Sequence, residues 1–393
     1  MTTSPQTVAV IHNRYMQPGG EDAAVAAHVE LLEQHGHRVV RFESSNAQLV
    51  AMGAIGQASA TIWNRAAGRD MLHFLARERP AVAHFHNIFP LLSPAVHAAA
   101  QRAGVPVVQT LHNYRMICPN AILFREGAVC EACVPKRVKW PGLVHACYRG
   151  SRAASAATVA MLAVGAARRT RRENVNAYIA LTPFARARFI AGGLSSDRIV
   201  VQPGFLASDP CRGSHTGGYA LFVGRLSPEK GITTLLEAWR SAHREGMTLR
   251  IIGTGPLDAS LNRTVPGVEW LGARDNTQVL TMMREAAFLV FPSECYEGFP
   301  ITVLEAFATA LPVLATNHGA MSELMIHGET GHLFRPNDAA DLARALSWAF
   351  HNPVELCALG EAGRREFDSK YRATHAYARL ITLYDQVTSG VAA

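Results

Sequence analysis

The sequence predicts an α/β protein of two domains, each built on a doubly wound parallel sheet. Short apolar segments typical of buried strands alternate with helical segments along nearly the whole chain, and this alternation is typical of parallel sheets. The chain has 393 residues, which is enough for two substantial hydrophobic cores. Near its middle, residues 206–218 are polar and rich in Gly, Ser and Pro, which predicts a linker between the domains.

In the first half of the chain, uninterrupted apolar runs predict buried strands. The predicted strands are residues 8–11, 38–42, a strand ending at 84–86, and residues 105–110 and 178–181, and residues 200–204 close the domain. Helices are predicted over residues 21–34, 93–101 and 152–172. The first of these helices has Val25, Val29 and Leu32 on one face, as expected of a helix that packs against a sheet.

The second half repeats the alternation. Strands are predicted at residues 219–223, 248–252, 268–271, 287–291, 311–315 and 332–334, and helices at 338–350 and 374–387. We therefore predict an N-terminal domain at residues 1–205, a linker at 206–218 and a C-terminal domain at 219–372. Residues 373–393 are predicted to form a C-terminal helix that returns to the first domain.

Composition and charge restrict the class of protein. With 49% hydrophobic and 18% charged residues, the chain is a globular protein and not a disordered one. No apolar stretch approaches the roughly 20 residues of a membrane span, and the N-terminus lacks a secretory signal pattern. We therefore expect a cytoplasmic protein with reduced cysteines. The net charge of +7 favours anionic partners, and the absence of a nucleic-acid-binding motif argues against nucleic acid.

The most informative segment follows the predicted strand 287–291. It places Glu297 and Glu305 on either side of a turn that opens a helix, and Pro300 suits the first helical turn. The free amides of such a turn attract an anion, while a carboxylate accepts hydrogen bonds from paired hydroxyl groups. Together they suit a sugar attached to a nucleoside diphosphate. The residues of the turn are Gly298, Phe299, Pro300 and Thr302. A capped helix start with an ordinary surface acid is the alternative.

Two cations lie at another predicted strand–helix junction. Arg225 and Lys230 occur in Gly224-Arg-Leu-Ser-Pro-Glu-Lys-Gly231, directly after the strand 219–223. Arginine offers a bidentate fork and lysine a compact charge, and both suit a pyrophosphate. A solvated loop with routine charges is the alternative for this pair.

Two glycine-rich segments are less specific. Gly253-Thr-Gly-Pro256 follows a strand, but Asp258 occupies the position of the third glycine in a dinucleotide fingerprint, so we predict a structural turn. Pro18-Gly-Gly20 precedes a helix that begins with Glu21 and Asp22. Its glycines would let a ligand approach the backbone closely, or they form only a flexible loop.

These segments resemble the retaining glycosyltransferases of family 4, which have the GT-B architecture of two Rossmann-like domains facing a central cleft. The resemblance implies that Arg225 and Lys230 hold the donor diphosphate and that Gly19 and Gly20 close over the donor. It also implies that His112, after the strand 105–110, contacts the donor sugar. Glu305 is then predicted to bind the ribose of the donor, and Glu297 its sugar.

The predicted function is retaining transfer of a hexosyl unit from a nucleotide-diphosphate sugar to a glycan or lipid-linked glycan acceptor, in the synthesis of cell-surface polysaccharide. Such enzymes are thought to let the leaving phosphate deprotonate the acceptor, so no nucleophile is required. The sequence lacks an Asp-x-Asp motif at a strand end, so donor binding is predicted to be metal-independent, with no cofactor required for transfer. The alternatives are a nucleotide-sugar 2-epimerase of the same fold and a non-catalytic nucleotide-sugar-binding subunit.

Other strand-end histidines could line the same crevice. His84 and His86 are nevertheless interpreted as packed or backbone-bonded residues.

Four cysteines cluster after His112 in an expected insertion at residues 115–150. The ligands of the predicted structural zinc site are Cys118, Cys130, Cys133 and Cys147. One C-x2-C pair is present where a zinc ribbon has two. An iron–sulfur cluster and four unrelated thiols are the alternatives.

A further segment suggests contact with a membrane surface. Residues 153–167 carry no charge and are followed by Arg168, Arg169, Arg171 and Arg172. A helix with a basic end can lie against anionic lipid, which would put the protein at the inner face of the cell membrane. A packed helix with a solvated basic end is the alternative.

Overall fold

The structure is a computed structural model that describes residues 5–16, 19–242 and 246–390. The chain divides into two compact units. Unit 1 comprises Met1–Leu123, Cys130–Ala207 and Ala373–Ala393, and unit 2 comprises Phe124–Val129 and Ser208–Arg372.

The strands alternate with helices in both units. The strands are β1 (Thr7–Arg14), β2 (Arg38–Ser45), β3 (Val82–Phe85), β4 (Val107–Leu111), β5 (Phe124–Arg125), β6 (Ala128–Val129), β7 (Ala177–Ala180), β8 (Ile199–Val201), β9 (Tyr219–Val223), β10 (Thr248–Ile252), β11 (Val268–Gly272), β12 (Phe288–Phe291), β13 (Val313–Thr316) and β14 (His332–Phe334).

The helices that connect and cover these strands are α1 (Gly20–Gln34), α2 (Ala54–Trp63), α3 (Arg65–Glu78), α4 (Ala95–Arg102), α5 (Trp140–Val144), α6 (Arg152–Ala167), α7 (Thr170–Glu173), α8 (Pro183–Ala191), α9 (Ile232–Ala242), α10 (Asn276–Glu285), α11 (Ile301–Ala308), α12 (Met321–Leu324), α13 (Ala339–His351), α14 (Pro353–Lys370) and α15 (Ala373–Thr388). Within the described ranges, none of these helices combines the length and apolar character that a membrane span requires.

Unit 1 has a parallel sheet with the strand order β2-β1-β3-β4-β7-β8. Strands β1, β3 and β4 are buried along most or all of their length, as expected of central strands covered on both faces. Because they are parallel, their carboxyl ends meet at one edge of the sheet. The segments beginning with His86 and His112 leave β3 and β4 at this edge.

The C-terminal helix α15 belongs to unit 1. Its Tyr384 is fully buried, and the hydroxyl of Tyr384 lies 2.6 Å from Nδ1 of His84 on β3. On the same helix, the hydroxyl of Tyr377 lies 2.9 Å from Nε2 of His37. These polar contacts fix the rotation of α15 against the rest of the unit.

Unit 2 has a second parallel sheet, with the strand order β11-β10-β9-β12-β13-β14. Its core includes Leu235 and Trp239 of α9, Phe288 of β12 and Leu346 of α13. The indole of Trp239 is fully buried, and its N–H donates to the carbonyl of Pro266 at 3.0 Å. This hydrogen bond satisfies the only polar group of the tryptophan side chain.

The predicted α/β fold class with two parallel-sheet domains is confirmed. Two local predictions need correction. The helix predicted over residues 152–172 is divided into α6 and α7, because Arg169 takes a left-handed conformation with φ 53°. Pro300 is the N-cap of α11 and not a residue of its first turn.

Candidate functional site

In unit 2, two loops at the carboxyl ends of β9 and β12 pack directly against each other. Gly231 ends the first loop with φ +67°, and a Cβ there would lie 1.9 Å from the carbonyl oxygen of Pro292 in the second. Next to this contact, the amide of Glu294 donates to the carbonyl of Glu229 at 2.9 Å. Glycine is therefore required at 231 both for the backbone angle and for the close approach.

This approach brings two predicted site residues together. Lys230 Nζ donates to Glu297 Oε1 at 2.6 Å, and the hydroxyl of Ser293 donates to the same oxygen at 2.5 Å. The side chains of Lys230 and Glu297 are 27% and 14% exposed. Burial works to lower the pKa of Lys230, but the charge of Glu297 and its hydrogen bond outweigh it and raise that pKa to about 12. Lys230 therefore stays cationic at neutral pH.

Arg225 lies on the same loop as Lys230 and is exposed, whereas its neighbours Leu226 and Ser227 are buried. The loop is supported by the two glycines after β10. A Cβ at Gly253 would lie 1.9 Å from the carbonyl oxygen of Gly224, and one at Gly255 would lie 2.3 Å from that of Leu226. The prediction that this glycine pair is a structural turn is thus confirmed.

Helix α11 presents its N-terminus after the turn that contains Gly298 and Phe299. The amides of Val303 and Leu304 both donate to the carbonyl of Pro300. The amides of Ile301 and Thr302 precede them in the first turn, where helical N–H groups have no intrahelical acceptor. These two amides and the positive end of the helix dipole are available to an anion.

Glu305 lies one turn further along α11 and is only 8% exposed. Burial raises the pKa of its carboxyl to about 7, while a hydrogen bond from Asn276 works in the opposite direction. The interpretation of Glu305 as an ordinary surface acid is therefore wrong. With a pKa of about 7, the carboxyl group of Glu305 is partly ionised at neutral pH. Its ionised form accepts hydrogen bonds more strongly than its protonated form.

In unit 1, His112 is in direct contact with His86. The two residues follow the adjacent strands β4 and β3, and Nδ1 of His86 lies 2.8 Å from Nε2 of His112. Their rings stack with centroids 5.1 Å apart. Burial lowers the pKa of His112 to about 3 and that of His86 well below its usual value. Both are neutral imidazoles, so His112 can offer a hydrogen bond but not a positive charge.

The two other histidines that were predicted at strand ends, His84 and His86, differ in their contacts. His84 contacts Tyr384 through Nδ1 at 2.6 Å and Thr110 through Nε2 at 2.7 Å, so the interpretation of a packed histidine holds. His86 is also buried, as interpreted, and in addition its Nδ1 contacts His112. The position of His86 was the signal available in the sequence for such a contact, because His86 is the first residue after a buried strand.

The glycine segment of unit 1 lies at the start of α1. The amide of Gly19 donates to Oδ2 of Asp22 at 3.0 Å, and His12 donates to the other oxygen of that carboxylate at 2.9 Å. A Cβ at Gly19 or Gly20 would meet nothing within 4 Å. The backbone is therefore open at both glycines, but the amide of Gly19 already has an acceptor. Pro18 lies outside the described residues.

Sequence reasoning missed several polar residues around these groups. Ser293 bonds the carboxylate of Glu297, and Thr234 donates to Glu294 beside it. In unit 1, Glu21 accepts hydrogen bonds from Tyr15 at 2.9 Å and Asn113 at 3.1 Å. Ser293 and Asn113 both occur within two residues of a strand end, which was the available signal.

The predicted zinc site is not supported. The described residues, which include all four cysteines, contain no group of three or more His, Cys, Asp or Glu side chains that could hold a metal ion. Cys118 and Cys133 are buried, and Cys130 and Cys147 are partly buried. Burial comes first in raising the pKa of Cys133 to about 11, followed by the neighbouring cysteines. The thiols are close enough to interact electrostatically without forming a set of metal ligands.

The uncharged segment at 153–167 is largely packed. Helix α6 buries Val159, Met161 and Leu162, and no large apolar side chain of α6 is strongly exposed. This agrees with a packed helix that has a solvated basic end. Nothing in its burial favours contact with lipid.

Comparison with known proteins gives a family match within the C-terminal part of the chain. Residues 217–352 match the family described as glycosyl transferases group 1. An uncharacterized glycosyltransferase of Methanocaldococcus jannaschii is 30% identical over 175 residues, covering 43% of this chain and 48% of that protein. The phosphatidyl-myo-inositol mannosyltransferase of Mycobacterium leprae is 29% identical over 234 residues, covering 56% and 61%. The chain thus spans about half the length of the curated relatives it matches.

The fold match extends over nearly the whole chain. Sucrose-phosphate synthase from Thermosynechococcus elongatus has a TM-score of 0.72 at 16% identity and covers 98% of this chain and 100% of its own. HepE from Anabaena, solved in complex with UDP, has a TM-score of 0.69 at 15% identity and covers 97% and 100%. The resemblance to GT-B glycosyltransferases is confirmed, for the fold across the chain and for the family over residues 217–352.

Proposed function

We propose that this GT-B chain is a retaining glycosyltransferase that moves a hexosyl unit from a nucleotide-diphosphate sugar to a glycan or lipid-linked glycan acceptor in the synthesis of cell-surface polysaccharide. The observation that carries the proposal is a group of positive features in unit 2: a lysine that stays cationic, an exposed arginine and the N-terminus of a helix. Lys230 is paired with Glu297, Arg225 lies on the same loop, and α11 begins four residues after Glu297.

In this proposal, the positive groups of unit 2 bind the diphosphate of the donor. Lys230 and Arg225 supply charge, and the first amides of α11 supply hydrogen bonds. These groups stabilise the negative charge that develops on the diphosphate as the bond to the sugar breaks. Because they neutralise that charge themselves, we propose that the donor needs no metal ion, and transfer should persist after brief exposure to excess EDTA.

Glu305 and Glu297 then have different tasks. Glu305 accepts hydrogen bonds from the ribose hydroxyls and is the better acceptor when ionised. Glu297, which is held by Lys230 and Ser293, orients the donor sugar. His112 adds a neutral hydrogen-bonding group for a sugar hydroxyl. The leaving phosphate removes the proton of the attacking hydroxyl on the same face of the sugar, so the configuration at the anomeric carbon is retained.

The donor is best identified by direct assay. Mass spectrometry of products from a panel of UDP-, GDP- and ADP-sugars, each with oligosaccharide acceptors, tests both the reaction and the nucleotide. HepE was solved with UDP and with UDP-glucose, which makes UDP-sugars the first arm of the panel. Analysis of the anomeric configuration of the product by NMR then tests retention.

Two alternatives make different predictions in the same assay. A nucleotide-sugar 2-epimerase interconverts donors without any acceptor. A non-catalytic subunit binds the donor but neither transfers nor hydrolyses it. The Lys230–Glu297 pair and the adjacent Ser293 favour transfer over these alternatives. A lysine that stays cationic beside a diphosphate would stabilise the charge that develops as the bond to the sugar breaks.

We also propose contact with an anionic membrane surface, through a different element from α6. In the cysteine-rich insertion, Val138, Trp140 and Val144 are 48%, 52% and 53% exposed, and Trp140 and Val144 share a face of α5 at i, i+4 spacing. Lys136 and Arg137 are exposed beside them. Exposed apolar groups flanked by cations suit the interface of an anionic bilayer at the cytoplasmic face of the membrane.

Vesicle sedimentation tests this contact. The protein should bind phosphatidylglycerol vesicles more strongly than phosphatidylcholine vesicles, and Trp140→Ser should weaken that binding. Val50→Ser serves as the matched control, because Val50 is 77% exposed but lies outside the insertion. Equal loss of binding in both variants would contradict a specific role for this insertion.

A further inference from the structure

In unit 2, residues 293–297 lead from the end of β12 towards α11 and carry Glu297 at their end. They are held from two sides. On one side lies the loop after β9, through the hydrogen bond of Lys230 to Glu297 and that of the Glu294 amide to the carbonyl of Glu229. On the other side lies the segment that ends β13, a strand that pairs directly with β12. The function proposed above gives this second segment no role.

The carbonyl oxygen of Ser293 accepts two hydrogen bonds from the second segment. Thr316, the last residue of β13, donates from its hydroxyl at 2.7 Å. Nε2 of His318 lies 3.0 Å from the same oxygen. Ser293 and Thr316 are buried, and His318 is partly buried. Because both lone pairs of this carbonyl are used, the peptide after Ser293 cannot rotate without loss of a hydrogen bond.

The contact with Ser293 also defines the protonation of His318. A carbonyl oxygen only accepts, so Nε2 of His318 must carry the hydrogen. Burial lowers the pKa of His318, although its hydrogen bond to Ser293 and the charge of Glu297 work to raise it. His318 is therefore a neutral imidazole at pH 7. It acts on its surroundings through one hydrogen bond and not as a positive charge beside Glu297.

The same segment meets residues 293–297 at a second point, the ring of Tyr296. The ring of His318 lies against that of Tyr296, with centroids 5.7 Å apart. The next residue, Gly319, has a φ of +58°, and a Cβ there would lie 2.8 Å from Cδ1 of Tyr296. Glycine at 319 thus provides both the left-handed backbone and the space for the tyrosine ring. The segment after β13 therefore fixes both a carbonyl and a side chain next to Glu297.

Ser293 passes this restraint on to Glu297. Its hydroxyl donates to Oε1 of Glu297 at 2.5 Å and lies 3.2 Å from the carbonyl oxygen of Glu229. A hydroxyl has one hydrogen, so these two acceptors compete for it. The shorter contact is the one to Glu297. A displacement of Ser293 would favour Glu229 instead and weaken the hold on the carboxylate.

We propose that His318 is a positioning residue for transfer, which aims the carboxylate of Glu297 at the donor sugar by holding the carbonyl of Ser293 and the ring of Tyr296. His318 acts through these residues and does not itself contact the donor. The inference rests on the proposed function, in which Glu297 orients the sugar. A misplacement of about 1 Å at a reacting centre can cost about a hundredfold in rate, so a residue behind the site can control turnover.

Three variants of the full chain test the proposal. His318→Leu removes the N–H group, and kcat should fall about three- to tenfold, as expected for one neutral hydrogen bond, while the Kd for UDP stays unchanged. His318→Gln places an amide N–H near the position of Nε2 and should restore most of kcat. His215→Leu is the control, because the ring nitrogens of His215 lie 3.0 Å from other carbonyls, those of Ala286 and Thr309. It should keep the parent kcat.

Two results of these measurements would overturn the proposal. One is an unchanged kcat in His318→Leu. The other is an equal loss of kcat in His318→Leu and His318→Gln, since the hydrogen bond would then not be the cause.

A double-mutant cycle distinguishes positioning from general destabilisation. Residues that act in one network show losses that do not add in free energy. His318→Leu should therefore cost much less kcat in a protein that already carries Ser293→Ala than it costs alone. Independent losses, in which the two fold-changes multiply, would show that His318 does not act through Ser293 and would overturn the proposal.

Failure of this inference can be separated from failure of the proposed function. Turnover by the parent protein with an unchanged kcat in His318→Leu would overturn the positioning role and leave the transferase intact. Binding of a UDP-sugar without transfer would overturn the transferase. The ratio of the Kd for UDP to the Kd for the UDP-sugar would then measure the hold on the sugar. A fall of this ratio in His318→Leu, but not in His318→Gln, would still support the positioning role.

Discussion

Lys230 donates a 2.6 Å hydrogen bond to Glu297 across two loops that leave different strands of the same sheet. In the proposed function, the cation of this pair binds the diphosphate and the carboxylate accepts a hydrogen bond from a sugar hydroxyl. Ser293 bonds the same carboxylate oxygen, so the carboxylate is held from two directions. A donor that binds here would meet a preformed arrangement and would need little reorganisation of the loops.

Removing the cation should impair transfer far more than folding. Lys230→Ala and Arg225→Ala should each lower kcat/KM about a hundredfold, since groups that stabilise developing charge contribute on the order of 3 kcal/mol to the transition state. Steady-state kinetics with the identified donor measures this loss. Arg240→Ala, on an exposed position of α9, is the control. Near-normal kcat/KM in both site variants would contradict the proposal that these residues bind the diphosphate.

Gly231 should be more sensitive to substitution than a glycine of the same backbone angle elsewhere. Gly231 and Gly218 have φ values of +67° and +68°, but a Cβ at 231 would lie 1.9 Å from a backbone oxygen, while one at 218 would meet nothing within 4 Å. Both alanine variants bear the left-handed strain of roughly 1–2 kcal/mol. Only Gly231→Ala should also separate the loops and lower transfer.

The melting temperatures of the two glycine variants measure the effect of backbone strain, and their kcat/KM values measure the effect of moving the loop. Equal losses in Gly231→Ala and Gly218→Ala would show that the contact with Pro292 has no functional consequence.

Glu305 should make stability and nucleotide binding respond to pH in opposite directions. Its pKa is raised from 4.5 to about 7, so the folded state binds the proton more tightly than the unfolded state does. The associated stability is present below about pH 4.5 and is lost as pH rises to 7, by on the order of 3 kcal/mol. Ionisation over the same range should strengthen binding of the ribose.

The matched variant is Glu305→Gln, which keeps the shape but cannot ionise. It should gain stability relative to the parent protein at pH 8 more than at pH 4.5, and its affinity for nucleoside diphosphate should lose the rise between pH 6 and 8. Thermal melts and calorimetry measure the two effects. A parallel pH dependence in the parent and variant proteins would contradict the raised pKa.

The sequence predicted the elements better than it predicted the contacts. Apolar runs gave the positions of strands such as β9 and β12, because a buried parallel strand leaves a continuous apolar signal. The site residues at strand ends followed from that. The Lys230–Glu297 and His86–His112 contacts could not be read from the sequence, because each joins loops of strands far apart in the chain. Several helices, among them α2, α3, α8, α10 and α14, were given no bounds by the sequence. The cysteine spacing indicated a metal site for which the described residues contain no suitable group of ligands.

The partly buried His28 of unit 1 should lower the stability of the protein in acid. Burial lowers the pKa of His28 from 6.5 to about 4, so the unfolded state binds this proton more tightly. The stability that His28 contributes is present above about pH 6.5 and is lost as pH falls towards 4, by up to about 3 kcal/mol. Its ring packs edge-on against His84, His86 and Phe205.

Replacement of His28 by Phe keeps an aromatic ring in this packing and removes the titration. Between pH 7 and 5, the free energy of unfolding of His28→Phe should fall less steeply than that of the parent protein. His375→Phe, at an exposed position of α15, should keep the parent slope. Denaturant unfolding at several pH values measures the slopes, and identical slopes for the parent protein and His28→Phe would contradict the prediction.

The cysteines should react according to burial and not according to metal ligation. Cys211 and Cys357 are exposed and should be alkylated quickly at pH 7.5. Cys133 is buried, and its pKa of about 11 leaves little reactive thiolate, so it should react slowly. A zinc ion would also protect Cys133, but for a different reason, because it would hold the sulfur as a bound thiolate. A chelator separates the two causes. The rate at Cys133, followed by mass spectrometry of the modified peptide, should be the same with and without EDTA. If EDTA instead accelerates modification of Cys118, Cys130, Cys133 and Cys147 and releases about one zinc ion per chain, the insertion holds a metal after all.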